Sequence, residues 1–382
     1  MEIRKVVIAA DSFKGSLTSE EVARSVEEGV HSVCPGCETV KVYIADGGEG
    51  TTEALTRTLG GKIVEATVHD PLMRPVKAAY GLVEGGETAV IEMASASGLP
   101  LVEPELRNPM KTTTYGTGEL IRDALSRGCR RFLVGIGGSA TNDAGTGMLQ
   151  ALGYRFLDAA GTELGHGGEI LSRIAAVDDT GALPELAGCE FVVACDVTNP
   201  FSGPTGAACV FAPQKGADAA MVRELDEGLK SFAKVIRTHT GTDVERQAGS
   251  GAAGGLGGGL VAFLGATLAS GIDMVLEAIG FDELIRGADL IVTGEGKLDG
   301  QTAMGKAPRG VLDAARKQRI PVVAVGGAVE SVGELNRQGF AAVFPILPGP
   351  ATLERAMENG YARSNVRRTV EQLIRTIHLT NR

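Results

Sequence analysis

Residues 5–15 read KVVIAADSFKG, and the change of character at Asp11 decides the fold class. A run of β-branched and small apolar residues without alternation suits a strand buried on both faces, and such strands belong to parallel sheets covered by helices. Asp11, Ser12 and Gly15 then form a polar turn. Thr18-Ser19-Glu20-Glu21 supplies a capping box ahead of Val22, Val26 and Val30 at helical spacing. Strand, polar loop and helix recur further along. Residues 39–51, TVKVYIADGGEGT, lead into a helix over Thr52 to Leu59. Residues 131–145, RFLVGIGGSATNDAG, follow a helix near Gly118 to Ser126, and 189–201, CEFVVACDVTNPF, give another strand. The last quarter repeats the unit with DLIVTGEG, a helix about Val311 to Gln318, PVVAVGG, AAVFPI and a closing helix through Ile377. The fold class expected is therefore α/β with a parallel sheet and crossover helices.

Between Lys62 and Met93 the pattern changes to short alternating segments broken by Asp70-Pro71 and Gly85-Gly86, the mark of antiparallel hairpins. At 382 residues the chain exceeds what one core usually serves. Two domains are expected, one from residues 1–75 plus 285–382 and an inserted one from 76–284.

Composition excludes several classes of function. The apolar residues make up 43% of the chain, but their runs are strand-length, too short to span a bilayer. The first residues enter a strand pattern without a signal-peptide pattern, so a cytoplasmic protein is expected. A net charge of -10 argues against a nucleic-acid groove, which needs a basic face. The six cysteines read as reduced core thiols rather than a disulfide framework. Cys34-Pro35-Gly36-Cys37 has redox spacing, yet Pro-Gly between the thiols suits a tight turn after a helix, and no second pair completes a zinc site. The sequence leaves open whether the chain forms a homo-oligomer.

In open α/β sheets ligands bind outside the carboxyl ends of the strands. Five loops stand there: Asp11 to Gly15, Asp46-Gly47-Gly48-Glu49-Gly50, Gly137 to Asp143, Asp196 to Asn199, and Gly294 to Asp299. Any one could be an ordinary turn, since Asp, Ser, Thr and Asn cap helices and Gly supplies positive φ. Lys14 and the alternating Glu295, Lys297 and Asp299 carry more charge than a cap requires. Acidic residues with lysines and glycine-backed amides are what phosphoryl transfer from a nucleotide demands, although a phosphatase or a sugar-phosphate isomerase would use the same set. Arg107 and Lys111 precede a helix start rich in Thr and Gly, either a dock for a substrate carboxylate or a polar loop with an N-cap. The five histidines, His31, His69, His166, His239 and His378, sit apart from these loops in sequence.

Two near-motifs mislead. Gly300, Gly305 and Lys306 have the spacing of a P-loop, but Ala307 stands where a hydroxyl would hold magnesium, and the preceding strand ends too early. Gly257-x-Gly259-x-x-Ala262 matches the dinucleotide fingerprint in letters only, because no strand precedes it. The apolar helix expected there, Leu260 to Leu268, reads as core.

Longer blocks carry a resemblance. DSFKGSLTSEEVA (11–23), ADGGEGTTEAL (45–55), EMASASGLPLV (92–102), NPMKTTTYGTGELI (108–121), GIGGSATNDAGTGMLQALG (135–153), ACDVTNPFSGPTGAACVFAPQKGA (194–217) and GEGKLDGQTAMGKAP (294–308) together resemble the bacterial glycerate kinases of the first type. The resemblance implies ATP-dependent phosphorylation of D-glycerate with Mg2+, mostly at the 2-position, with 3-phosphoglycerate or another small hydroxy acid as the alternative. A non-catalytic nucleotide sensor is the rival of another class. The resemblance further implies two different α/β domains, one flavodoxin-like and one inserted and mixed, with a cleft between them. Carried over block by block, it places Asp11, Ser12, Lys14, Asp46, Gly47, Gly48, Glu49, Glu295, Lys297 and Asp299 on the flavodoxin-like side. Arg107, Ser139, Asn142, Asp143, Asp196, Asn199 and Lys215 are expected from the inserted side. Asp46 or Asp196 would be the magnesium ligand or the base, and Lys14 and Lys297 would neutralise phosphate charge.

Overall fold

The computed structural model describes residues 3–44, 48, 50–300 and 306–379; Asp46, Gly47 and Glu49 lie outside them. The strands are β1 Lys5–Ala10, β2 Glu38–Tyr43, β3 Lys62–His69, β4 Pro75–Val83, β5 Thr88–Glu92, β6 Arg131–Gly135, β7 Arg155–Leu157, β8 Ala176–Asp178, β9 Glu190–Ala194, β10 Thr267–Ala269, β11 Leu290–Leu298, β12 Val322–Val329 and β13 Ala342–Pro345. The chain separates into two compact units, Met1–Asp46 with Val275–Arg382, and Gly47–Met274.

The first unit holds a five-stranded sheet in the order β13-β12-β11-β1-β2, parallel throughout. Counted along this unit alone, that is the flavodoxin-like order, in which the first strand lies between the second and the third. Val6, Val7 and Ile8 of β1 are fully buried, which is why the strand needs apolar residues on both faces. The helix Ser19–His31 begins at the expected capping box. The Thr18 hydroxyl accepts from the Glu21 N–H at 3.2 Å, while the Glu21 carboxylate accepts from the Thr18 N–H at 2.9 Å. Its Val22, Val26 and Val30 share a core with Val366, Val370 and Ile374 of the closing helix Asn359–Leu379. The Cys34–Cys37 segment is the expected turn: the Cys37 N–H donates to the Cys34 carbonyl at 3.1 Å, and both thiols are unpaired.

The second unit holds a mixed sheet, β10-β9-β6-β5-β4-β3, and a small antiparallel pair, β7-β8. The pairs β5–β6, β6–β9 and β9–β10 are parallel, and the Lys62 to Met93 hairpins add the antiparallel strands β3 and β4. Since β3 pairs along its whole length with β4, it belongs to this sheet, ahead of the expected boundary at residue 75. Asp70 closes the β3–β4 hairpin by accepting the Leu72 and Arg74 amides at 2.8 and 2.9 Å.

Two helices depart from the sequence reading. The glycine-rich helix is Leu256–Leu264, starting earlier than expected. A Cβ at Gly258 would lie 2.7 Å from the Phe201 ring, and one at Gly259 would lie 2.3 Å from the Ala144 carbonyl. Close packing thus outweighs the poor helix propensity of glycine, and the helix is core as expected. A 3-10 turn, not a strand, precedes it. The sequence reading missed Ala219–Thr240 altogether, a helix capped by Asp218 through the Ala220 and Met221 amides. Among the described residues no helix is long and apolar enough to cross a membrane.

Gly29 sets how closely the two long helices of the first unit approach. A Cβ there would lie 2.6 Å from the Arg367 carbonyl and 2.9 Å from Val370 Cβ. Helix propensity alone expects Gly29→Ala to stabilise by about 1 kcal/mol, whereas overpacking costs about 1–3 kcal/mol. The variant is expected to unfold at lower urea; a higher midpoint would show that the helix pair is not packed this tightly.

Candidate functional site

β1 touches β2 on one side and β11 on the other, so the connections leave it in opposite directions. The crevice at the carboxyl ends of β1 and β11 is the topological switch point where open α/β sheets bind ligands. A cavity of about 420 Å³ lies there. Its polar edge consists of Asp11, Ser12 and Lys14 after β1, Glu295 and Lys297 on β11, and Lys306.

Register puts these groups together. Ala10 pairs with Gly294, and the Asp11 N–H extends the ladder by donating to the Gly294 carbonyl at 2.9 Å. The chain then turns tightly: the Phe13 N–H donates to the Leu17 carbonyl at 2.8 Å, and Gly15 takes φ +79°, a conformation glycine adopts without strain. The Asn359 amide fixes this turn from the far end of the chain, donating to the Ser16 carbonyl at 3.2 Å and to the Glu21 carboxylate at 2.9 Å. The Thr18 N–H, then Asn359, hold the Glu21 carboxyl below its ordinary range.

Charge at the polar edge is paired. Asp11 and Glu295 are buried, and the Lys306 ammonium stands 3.8 Å from Glu295. Lys297 is half exposed, with its Nζ 3.1 Å from Glu330 and 3.3 Å from Asp299. Those two carboxylates, Glu330 first, hold the Lys297 pKa up, so it is cationic at neutral pH. Lys306 is the N-cap of the helix Ala307–Lys317, whose start no side chain among the described residues caps and whose first turn carries Pro308. The sequence reading set Lys306 aside with the P-loop look-alike and did not count it as a site residue. Its signal was present: a lysine immediately before a proline-started helix, following the charged end of β11.

The candidates of the second unit are held by contacts of their own. The carboxylate of Asp143, a candidate for substrate binding, accepts from the Thr114 N–H (2.8 Å), the Thr114 hydroxyl (2.9 Å), the Thr113 hydroxyl (3.3 Å) and the amides of Gly145 and Gly147 (3.1 and 3.2 Å). This fully engaged anion ties the loop after β6 to the Thr113–Thr114 segment. Lys215 is buried, donating to the Thr141 carbonyl at 2.6 Å and to Ser139 Oγ at 3.4 Å; Ser139 and Lys215 therefore do meet. Neither polar atom of the buried Asn142 side chain has a hydrogen-bond partner among the described residues, which leaves both able to bond an ordered water or a ligand. Asp196 is exposed, and its Oδ1 accepts the Gly271 N–H at 2.9 Å; the Asn199 amide donates to the Thr205 carbonyl at 2.8 Å. The Gly48 carbonyl takes the Thr51 hydroxyl at 2.7 Å. Arg107 Nε donates to the Val102 carbonyl at 3.3 Å and Lys111 pairs with Glu169 at 2.5 Å, bonds that suit the polar-loop account of this stretch. Sequence also hid a ring cluster: Tyr115 meets His69 and His166 edge-on, with centroids 5.8 and 5.1 Å apart.

Burial lowers the Lys215 pKa to about 7, against the pull of Asp143. The folded pKa is thus below the unfolded value, and the unfolded chain binds the extra proton between about pH 7 and the ordinary lysine range near 10.4. Stability from this group therefore rises with pH across that window, by roughly 1.4 kcal/mol per unit at most. Denaturant midpoints of the native chain and Lys215→Met, followed from pH 7 to 9.5, are expected to diverge in favour of the native chain. Parallel profiles would mean that Lys215 is charged in the fold.

Comparison with known proteins agrees with this architecture. The model of the glycerate kinase family matches residues 6–378. A glycerate kinase of Bacillus subtilis (strain 168) is 47% identical over 376 residues, 98% of each chain. A glycerate 2-kinase of Escherichia coli (strain K12) is 47% identical over 358 residues, 94% of each. A crystal structure from Salmonella typhimurium LT2 superposes with a TM-score of 0.92 at 44% identity, covering 100% of both chains. With the family model spanning nearly the whole chain and relatives this similar from end to end, the chain belongs to the glycerate kinase family.

Proposed function

We propose that the chain transfers the γ-phosphoryl group of ATP to the 2-hydroxyl of D-glycerate, giving 2-phosphoglycerate and ADP. The observation that carries this reading is the switch-point edge: in a chain of net charge -10, Lys14, Lys297 and Lys306 converge on one cavity. An anionic ligand in an acidic chain needs cations placed at its site, and phosphoryl transfer depends chiefly on positioning and charge neutralisation. Membership of the family supports glycerate as acceptor. The 2-position is supported by the relative named as a glycerate 2-kinase.

In this reading the glycerate hydroxyl oxygen bonds to the γ-phosphorus as the bond to the β,γ-bridging oxygen breaks. Lys14, Lys297 and Lys306 offset the charge of the transferring group. The hydroxyl proton passes to a carboxylate, for which Asp46 and Asp196 are the candidates. Among the described residues no group of three or more His, Cys, Asp or Glu side chains could hold a metal ion. The Mg2+ that phosphoryl transfer calls for would enter with the nucleotide and be held by one or two carboxylates, for which Asp46 and Asp196 are again the candidates; it would neutralise phosphate charge. The six unpaired thiols suit a reducing, cytoplasmic setting.

Phosphorus NMR of the product from MgATP and D-glycerate is expected to show 2-phosphoglycerate. In Lys297→Met the same assay is expected to show kcat lowered by about 10²-fold or more with thermal stability unchanged. A 3-phosphate product would overturn the regiochemistry, turnover of another hydroxy acid alone would overturn the substrate, and normal turnover in Lys297→Met would remove that residue from the mechanism.

A further inference from the structure

The switch-point cavity has a second wall of a different chemistry. Besides the charged edge, the same cavity is lined by Ala328, Ile346, Leu347, Leu353 and Met357. Leu353 is 77% exposed, the highest value among the exposed large hydrophobic residues of the described chain. It is held in that position by a scaffold. It opens the short helix Leu353–Met357, where the Thr352 hydroxyl accepts the Arg355 N–H at 3.3 Å. Arg355 in turn pairs with Glu358 and lies 4.4 Å over the Tyr361 ring. Met357, at the other end of this helix, lies over the turn after β1: a Cβ on Gly15 would come within 2.7 Å of its terminal methyl.

A three-carbon hydroxy acid has polar groups on every carbon and cannot cover five apolar side chains. Inorganic phosphate would need only the lysine edge. What both walls fit together is a ligand with a flat apolar body and a polyanionic tail, and about 420 Å³ lies within the range of pockets that enclose small organic ligands. The place is also the crevice in which doubly wound sheets hold mononucleotides.

We propose that the first unit binds the nucleoside of the phosphoryl donor in this cavity, with the base against Ile346, Leu347, Leu353 and Met357 and the phosphates directed to Lys14, Lys297 and Lys306. This deepens the reading of the chain as an ATP-dependent kinase and rests on it. Base recognition here runs through apolar contact from the Leu353–Met357 helix, while the lysine edge serves the phosphates alone.

The test separates the two walls. Binding of MgATP and of inorganic tripolyphosphate to the full chain is measured by calorimetry for the native protein, Leu353→Ala, Leu353→Met and Leu353→Ala/Met357→Ala, with thermal midpoints as the control for folding. The double variant is expected to bind MgATP at least tenfold more weakly, with tripolyphosphate affinity within twofold of native. Leu353→Ala alone, a change at an exposed position, is expected to show part of that loss and Leu353→Met to restore it. Unchanged MgATP affinity in the double variant would overturn the placement of the nucleoside while leaving the kinase reading intact. Failure of the native chain to bind MgATP at all would overturn the kinase reading, and the placement with it.

Discussion

The pairing of β1 with β11 is the interaction on which the first unit depends. It joins Val6 to Leu290 and runs in register to Ala10 and Gly294, two segments separated by the whole of the second unit. Loop closure over so long an interval costs only logarithmically more than over a shorter one, so the pairing is affordable provided its register is fixed. Asp289 fixes it. Its carboxylate accepts the amides of Arg4 and Lys5 at 2.8 and 3.0 Å, and its own N–H donates to the Lys5 carbonyl at 2.9 Å. Burial works against that charge, but the two amide donors outweigh it and hold the Asp289 carboxyl below its usual range. A slip of one residue would exchange the two faces of β1 and would separate Asp11 from Glu295.

From that register follows the electrostatics of the switch point. Two buried carboxylates arrive on adjacent strand ends, and burial of a charge without a partner is expensive. Lys306 answers Glu295, and Glu330 and Asp299 answer Lys297. Lys297 and Lys306 are thereby held at the cavity edge by their own counter-ions. Ion pairs this exposed add little to stability. Their contribution is to place charge where a polyanion would enter.

Much of the architecture was legible because it rests on local pattern. Unbroken apolar runs gave the buried strands, the Thr18 capping box gave the start of a helix, and the alternation from Lys62 to Met93 gave the hairpins. Candidate site residues that line the cavity were legible where a loop carried more charge than a turn needs, as after β1 and on β11. Asp143 shows the limit: nothing in one dimension announces that its carboxylate joins two backbone segments. Lys306 shows the converse, since a motif rejected as a P-loop still contained a residue that register carries to the cavity. The helix Leu256–Leu264 was placed late because its glycines disfavour a helix in isolation, and only Phe201 and Ala144, distant in sequence, make close approach worth more. The boundary near residue 75 reflects the same difficulty, as nothing within β3 announces which sheet it joins.

The central claim, that the lysines at the β1–β11 switch point receive the phosphates of a nucleotide, can be read residue by residue. Lysine acylation followed by mass spectrometry, with and without saturating MgATP, compares Lys14, Lys297 and Lys306 with the exposed Lys234 and Lys317 in one sample. Several-fold protection of the first three, with the last two unchanged, is the result this account requires; equal labelling of all five in the presence and absence of bound nucleotide would contradict it.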